Sequence, residues 1–239
     1  MNLTRHFKRI SIGNAVMVCC KSMFFHNELF LRVITCLVGV PLVISLICLG
    51  SPYVDGLVYL LLVGMLVEWF NMNKKTVFQS LKGISIFLSG ALYIAIAVGF
   101  LLSWRHQPGL ILWLLSIVWA TDIGAYFVGS YFGGPKLAPR ISPRKTWSGF
   151  VGGTVFGMAA GWALSSYAGV AIPLSLFGTL LIVSVAAQIG DLIESGVKRY
   201  FDVKDSGNII PGHGGLLDRL DSLLLVAIFY KLLLILVKL

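Results

Sequence analysis

Seven stretches of this chain are each long and apolar enough to cross a lipid bilayer as a helix. A transmembrane helix needs about 20 consecutive, mostly apolar residues, and in a bilayer only helices and closed barrels satisfy every backbone polar group. Of the 239 residues, 57% are hydrophobic and 12% are charged, whereas soluble domains carry about 25% charged residues. The sequence therefore excludes a soluble globular protein and predicts an all-α, polytopic membrane helix bundle with about seven transmembrane helices. The predicted spans are 29–49, 54–71, 83–103, 109–131, 148–168, 172–193 and 219–238.

The distribution of cations predicts which end of the bundle faces the cytoplasm. All but three of the 19 Lys and Arg residues, the exceptions being Arg105, Lys231 and Lys238, lie on one side of the predicted spans. Because Lys and Arg are enriched in cytoplasmic loops, we expect a cytoplasmic N-terminus. The net charge of +9 then follows from topology and does not indicate binding to nucleic acid. Residues 1–28 are interpreted as a cytoplasmic leader rather than a signal peptide.

Half of the acidic residues are concentrated near the cytoplasmic ends of three predicted spans. The chain has ten Asp and Glu residues in total. The five concerned are Asp122, Asp191, Glu194, Asp218 and Asp221. Asp191 and Glu194 are three residues apart and share a helix face, and Asp218 and Asp221 repeat that spacing. Such carboxylates can converge on one Mg²⁺ ion or a metal pair. The simpler alternative, that they only cap helices or pair with arginines, explains less of this clustering.

The segment between the sixth and seventh spans combines cations with glycines. It contains the run Pro211-Gly212-His213-Gly214-Gly215. Glycines let backbone N–H groups approach a phosphate, and Lys and Arg neutralise it. His213, between two glycines, is a candidate hydrogen-bond donor to phosphate or pyrophosphate. The segment therefore predicts phosphate chemistry at a membrane surface.

A second polar region runs from 119 to 153. Asp122 lies inside an apolar span, where an ionisable residue indicates function or, alternatively, a contact with a neighbouring helix. The loop that follows mixes four cations with hydroxyls and Trp147, a composition suited to a triphosphate or a lipid phosphate. We divide the chain into the leader, N-terminal helices at 29–105, and a catalytic region at 106–239 with cytoplasmic loops 132–147 and 194–218.

Two features of the remaining spans have structural interpretations. Glu68, at the end of the second span, is interpreted as a snorkelling interfacial residue in preference to a residue that supports the site. Five glycines recur at close spacing on the fifth span, and we attribute them to tight helix packing rather than to catalysis. They are Gly149, Gly152, Gly153, Gly157 and Gly161.

Four motifs in the last third of the chain resemble the signature of bacterial CDP-diacylglycerol synthase, also called phosphatidate cytidylyltransferase. They read Ser195-x-x-Lys198-Arg199, Lys204-Asp205-Ser206-Gly207, Pro211-Gly212-His213-Gly214-Gly215 and Asp218-Arg219-Leu220-Asp221-Ser222. Two further motifs are similar to the same family. They read Ala120-x-Asp122-x-Gly124-Ala125-Tyr126 and Lys136-Leu137-Ala138-Pro139-x-x-Ser142-Pro143-x-Lys145-Thr146-Trp147-x-Gly149.

The resemblance implies transfer of a cytidylyl group from CTP to phosphatidate, giving CDP-diacylglycerol and pyrophosphate for phospholipid synthesis. It further implies a multi-pass protein of the inner (plasma) membrane with a cytoplasmic active site, a homodimer, and Mg²⁺ accompanied by a second metal or K⁺. The expected catalytic residues are Asp191, Asp218, Lys198, Arg199 and His213. The expected substrate-binding residues are Lys204, Asp205, Gly212, Gly214, Gly215, Arg219, Ser142, Arg144 and Lys145. The expected metal ligands are Asp191 and Asp218, supported by Asp221 and Asp122.

Two other functions remain open from the residues alone. A related enzyme would be a kinase that uses CTP to phosphorylate a lipid alcohol such as a polyprenol, but it needs a base for the hydroxyl and fits the motifs less well. A transporter or channel would use Asp122, Asp191 and Asp218 as a cation path. It predicts acids spread through the membrane depth, whereas these cluster at one face.

Overall fold

The structure, a computed structural model, describes residues 30–77, 80–168, 176–210 and 214–236. The described part of α1 is Phe30–Leu49. The other elements are α2 (Tyr53–Val77), α3 (Leu81–Ser103), α4 (Pro108–Phe132), β1 (Lys136–Ala138), β2 (Ser142–Thr146), α5 (Trp147–Ala168), α6 (Leu176–Tyr200) and α7 (Leu217–Leu236). The predicted leader, with Gly212 and His213 of the predicted site, lies outside the described residues.

A helix stands at each of the seven predicted spans, so the all-α membrane bundle is confirmed. Within the described chain, α1, α2, α3, α4 and α6 are long and apolar enough to cross a membrane. The helix α5 is rich in Gly and Ser, and α7 carries Asp218, Arg219, Asp221 and Lys231 within 20 residues. The spanning role of these two helices stays a prediction, as does the cytoplasmic N-terminus.

Two boundaries differ from the sequence prediction. The helix α6 continues to Tyr200, beyond the predicted span 172–193, so the start of the predicted loop 194–218 is helical and Glu194 lies on the helix face it was expected to share with Asp191. An i, i+4 ion pair between Glu194 and Lys198, with Nζ 3.2 Å from Oε2, stabilises this extra length. The predicted loop 132–147 contains a short antiparallel hairpin of β1 and β2, in which Lys136 faces Thr146 and Ala138 faces Ser142.

The helices α4 and α5 approach closely because glycines line their contact. A methyl group added at Gly152 would lie 2.4 Å from Cβ of Val128, and one added at Gly153 would lie 2.8 Å from the carbonyl oxygen of Thr121. Backbones can come this close only where one helix lacks side chains. The prediction that the glycines of this helix serve packing is therefore confirmed at these positions.

An aromatic cluster joins four helices in the core. The ring centroid of Tyr230 on α7 lies 5.8 Å from that of Trp113 and 5.5 Å from that of Trp104, in edge-to-face arrangements. The Trp113 indole N–H donates to the carbonyl of Gly161 on α5 over 2.8 Å, so its buried polar atom is satisfied. These contacts hold α4, α5 and α7 against the C-terminal end of α3.

The hairpin is anchored where α4 ends and α5 begins. Gly133 and Gly134 have φ angles of 60° and 103°, a region that favours glycine and lets the chain turn out of α4. The hydroxyl of Thr146 accepts a hydrogen bond from Gly149 N over 3.1 Å and caps the start of α5. The hydroxyl of Ser148 donates to the carbonyl of Gly133. These bonds place β2 over the ends of α4 and α5.

Candidate active site

A polar cavity of about 840 Å³ opens between α4, the hairpin, α5, α6 and α7. Ten charged side chains line it, half of them cationic and half anionic. The cations are Lys136, Arg144, Lys145, Lys198 and Arg219, and the carboxylates are Asp122, Asp191, Glu194, Asp218 and Asp221. The cavity therefore brings residues of both predicted polar regions together in one site.

Asp191 joins α6 to the hairpin. Its Oδ2 lies 2.6 Å from Nζ of Lys145, and the two side chains are 36% and 25% exposed. The hydroxyl of Ser195, one turn further along α6, donates to Oδ1 over 3.3 Å. Because this ion pair is partly open to solvent, an incoming anion or cation can exchange with either partner.

Asp218 organises the loop that precedes α7. Its Oδ1 lies 2.7 Å from Nζ of Lys198, and its Oδ2 accepts hydrogen bonds from the backbone N–H groups of Ser206 over 3.0 Å and Gly215 over 2.9 Å. Burial by itself raises the pKa of the Asp218 carboxyl, but these three donors outweigh it and hold that pKa below its usual range. Asp218 is therefore an ionised structural centre as well as a candidate ligand.

Glu194 and Asp221 place two carboxyl groups side by side between α6 and α7. Glu194 is 8% exposed; its Oε2 is bound by Lys198, and its Oε1 has no hydrogen-bond donor among the described residues. A buried oxygen without a donor is costly unless something else binds it. The predicted metal ligands did not include Glu194, although its spacing from Asp191 and its place on the same helix face were visible in the sequence.

The donor chemistry of this cavity fits Mg²⁺. Every acidic ligand candidate is an oxygen donor, as this ion prefers, and Mg²⁺ commonly takes one or two carboxylates and completes its shell with waters and substrate phosphates. No cluster of three His, Cys, Asp or Glu residues with metal-site spacing occurs in the part of the chain that the structure describes. The assignment of these carboxylates as Mg²⁺ ligands stays a prediction.

The interpretation of Glu68 as a snorkelling interfacial residue is wrong. Its side chain is buried, with 2% of the residue exposed, and it accepts hydrogen bonds from the backbone N–H groups of Leu216 and Leu217 over 2.9 Å each. It also accepts a bond from the hydroxyl of Ser206 over 3.1 Å. A carboxylate from α2 thus caps the start of α7, a partner that spacing along the chain does not reveal because the two lie about 150 residues apart.

Several predicted phosphate-binding residues do not line the cavity. Arg199 donates from Nε to the carbonyl of Ile141 and from Nη1 to that of Val203, so it ties the hairpin to the loop. Lys204 and Asp205 are exposed on that loop and are absent from the cavity wall. Their substrate roles stay predictions.

The two described glycines of the predicted phosphate loop have structural roles. Gly214 has a φ of 85°, which favours glycine. A methyl group at Gly215 would lie 1.9 Å from the Ser206 hydroxyl, and the N–H of Gly215 is already bound to Asp218. Packing of the loop therefore accounts for these glycines, and a phosphate contact from either stays a prediction. Ser142, Arg144, Lys145 and Arg219 do line the cavity, as expected.

Gln188 is one of the cavity residues that the sequence-based prediction did not include. Gln188 on α6 is 6% exposed, and its Nε2 donates to the hydroxyl of Thr154 over 2.9 Å and to the carbonyl of Phe150 over 3.1 Å. It holds α6 against α5 directly beneath Asp191. The sequence did carry a signal for this residue: it is an uncharged amide within an apolar span, three residues before Asp191.

The chain is similar to a known protein family and to several named proteins. Residues 75–237 match the cytidylyltransferase family. A protein of Rickettsia bellii named phosphatidate cytidylyltransferase is 38% identical over 211 residues, which cover 84% of this chain and 88% of that protein. Proteins of the same name from Brucella suis and Bacillus subtilis are 50% and 46% identical over 117 and 149 residues. Those two alignments cover 49% and 60% of this chain, and only 43% and 55% of the relatives' own lengths.

Proposed function

The chain belongs to the cytidylyltransferase family, and on that premise we propose that it transfers a cytidylyl group from CTP to phosphatidate, releasing pyrophosphate and CDP-diacylglycerol. The observation that carries this proposal is the cavity lined by five cations and five carboxylates at one end of a membrane helix bundle. Cations suit the polyphosphate of a nucleotide, and carboxylates suit the divalent ion that accompanies it.

The chemistry needs positioning more than proton transfer. An oxygen of the phosphatidate monoester attacks the α-phosphorus of CTP, and the bond from that phosphorus to the bridging oxygen of pyrophosphate breaks. The attacking phosphate is already largely dianionic near pH 7, because its second pKa is about 6, so no general base is required. The protein has to bring two polyanions together and to stabilise charge on the leaving group.

The acidic residues of the cavity are suited to hold Mg²⁺, with Asp191 and Asp218 as the principal candidates and Asp122, Asp221 and Glu194 in support. When bound, the ion polarises phosphate oxygens and neutralises charge that develops on pyrophosphate. Glu194 is added to the set because its carboxyl group lies beside that of Asp221 and lines the same cavity.

The cations of the cavity have two successive partners in this proposal. In the free protein Lys145 and Lys198 neutralise Asp191 and Asp218. Incoming phosphates compete for both ammonium groups, which releases the carboxylates toward the cavity. Arg144 and Lys136 on the hairpin, and Arg219 on α7, add charge around the polyphosphate. Arg144 and Lys145, both on β2, would hold phosphatidate or the triphosphate tail.

We place the protein in the inner (plasma) membrane, with the cavity at the cytoplasmic face where CTP is available. The cation-rich segments of the cavity support this orientation. The homodimer and a monovalent cation beside Mg²⁺ are further predictions from the family resemblance. Measuring the mass of the detergent-solubilised protein tests the first, and the dependence of activity on K⁺ tests the second.

The deciding experiment measures pyrophosphate released from CTP by the purified protein in mixed detergent–phosphatidate micelles. We expect release that requires phosphatidate and Mg²⁺ and that strongly prefers CTP over ATP. The variant to assay beside the wild type is Asp191→Asn. Asp191 is partly exposed and makes fewer contacts that hold the surrounding structure than Asp218 does. Phosphorylation of a lipid alcohol in place of turnover of phosphatidate would favour the kinase instead. No activity with either lipid would refute the proposal.

The transporter alternative is not favoured by the cavity. It predicted acidic residues at successive membrane depths, whereas the five carboxylates line one cavity together with five cations. A cation path gains nothing from lysines that neutralise its acids.

A further inference from the structure

Glu68 lies on α2, outside the stretch 75–237 that matches the family, yet it contacts the segment that supports the site. Both of its oxygens are occupied: Oε1 by Leu216 N, and Oε2 by Leu217 N and the Ser206 hydroxyl. It does not line the polar cavity. An anion at the start of a helix binds unpaired backbone N–H groups and is favoured by the helix dipole, and hydrogen bonds to an ionised acceptor are about twice as strong as neutral ones.

Two loop glycines form the space that the Glu68 carboxylate fills. A methyl group at Gly207 would lie 2.6 Å from Oε1, and one at Gly215 would lie 2.8 Å from Oε2. Distances below 3.0 Å are closer than non-bonded atoms approach. Both positions therefore need glycine while Glu68 is present, which gives these residues a physical reason that does not involve substrate.

Ser206 connects Glu68 to Asp218. Its hydroxyl donates to Oε2 of Glu68, while its backbone N–H donates to Asp218. Gly215 repeats the arrangement: a methyl group added to it would lie 2.8 Å from Oε2 of Glu68, and its N–H binds Asp218. Leu217, bound to Glu68, is the residue before Asp218. A displacement at Glu68 is thus passed to Asp218 through three short, buried connections.

We propose that Glu68 is a positioning residue, which holds Ser206, Leu216 and the first turn of α7 so that Asp218 and Asp221 face the polar cavity. This inference rests on the proposed function, because it assigns Glu68 a task in arranging the carboxylates that act there. It differs from simple helix capping in its consequence: losing Glu68 disturbs the geometry around Asp218 and does not only lower stability.

The test compares Glu68→Gln with Ser80→Ala. Ser80 caps α3 by accepting a hydrogen bond from Gly83 N over 3.0 Å, and it does not line the cavity. Ser80→Ala therefore removes a helix cap away from the site. The first measurement is amide hydrogen exchange in the full protein. We expect Glu68→Gln to accelerate exchange at Ser206 and Gly215, whose N–H groups bind Asp218 and not Glu68. In Ser80→Ala these amides should exchange as in the wild type.

The second measurement is the rise in thermal unfolding midpoint as Mg²⁺ is added without substrates. We expect Glu68→Gln to raise the half-saturating Mg²⁺ concentration by about tenfold, the equivalent of one weakened charge-assisted hydrogen bond, and Ser80→Ala to leave it unchanged. If Glu68→Gln folds poorly, Ser206→Ala, which removes one bond to Glu68 but keeps the backbone N–H, should show the same changes more weakly.

The two proposals fail in different ways. Accelerated exchange confined to Leu216 and Leu217, with Mg²⁺ half-saturation unchanged, would reduce Glu68 to a helix cap and overturn the inference even if the wild type transfers a cytidylyl group. Conversely, a wild type that releases no pyrophosphate, in which Glu68→Gln still disturbs Ser206 and Gly215, would refute the proposed function and leave the positioning role in place.

Discussion

Replacing Asp218 by Asn should destabilise the protein as well as inactivate it. The substitution removes a charge from Oδ1, which lies 2.7 Å from Nζ of Lys198. Both side chains are buried, with 8% of Asp218 and 12% of Lys198 exposed. Removing one member of a buried ion pair leaves the other charge unpaired and lowers the free energy of unfolding by about 3–5 kcal/mol. Because Lys198 keeps Glu194 at 3.2 Å, we expect the lower end, about 3 kcal/mol. For a chain of this size that lowers the unfolding midpoint by roughly 6–12 °C.

The assay is thermal unfolding of the purified variants in detergent, together with pyrophosphate release. The control variant Asp191→Asn breaks the partly exposed ion pair with Lys145, so it should lose activity while unfolding close to the wild type. Unfolding of Asp218→Asn within about 2 °C of the wild type, or equal destabilisation by Asp191→Asn, would mean that the pair of Asp218 with Lys198 does not hold α6 against α7.

Three further expectations follow from the packing and the cavity. Gly152→Leu, whose side chain would meet Val128 at the contact of α4 and α5, should cost about 3 kcal/mol or more in stability, while Gly56→Leu, at a site with nothing within 4 Å, should unfold like the wild type. Lys145→Met removes the partner of Asp191 and should raise the KM for CTP about tenfold, as expected for a lost charge-assisted bond, with little loss of stability at a partly exposed pair; an unchanged KM would exclude Lys145 from phosphate binding. Chelation of Mg²⁺ should abolish pyrophosphate release, and restored Mg²⁺ should recover it.

Element positions were largely predictable because apolar length alone determines where a chain can cross a bilayer. A helix stands at each predicted span, and the glycines attributed to helix packing do lie between α4 and α5. The errors came at polar ends. The helix α6 runs on to Tyr200 because its last turns are stabilised by charged side chains, which a search for apolar stretches treats as a loop.

Part of the cavity lining was predictable from the sequence, but the pairing of its charges was not. Asp191, Asp218, Lys145 and Lys198 were recognisable from residue type and motif, and they line one cavity. Which lysine neutralises which carboxylate depends on how α6, α7 and the hairpin pack, and no local spacing encodes that.

The amino-acid sequence by itself determined a membrane helix bundle, the gathering of its charged residues at a few helix ends, and the phosphate chemistry those residue types favour, because each follows from local composition and spacing. Only the tertiary structure decided that Glu68 is buried against the start of α7, that the carboxyl groups of Glu194 and Asp221 lie side by side, and that Gly215 is required by packing. These features depend on contacts between residues far apart in the chain. Burying a carboxylate costs free energy, and only the folded structure brings the hydrogen-bond donors that offset this cost close to it.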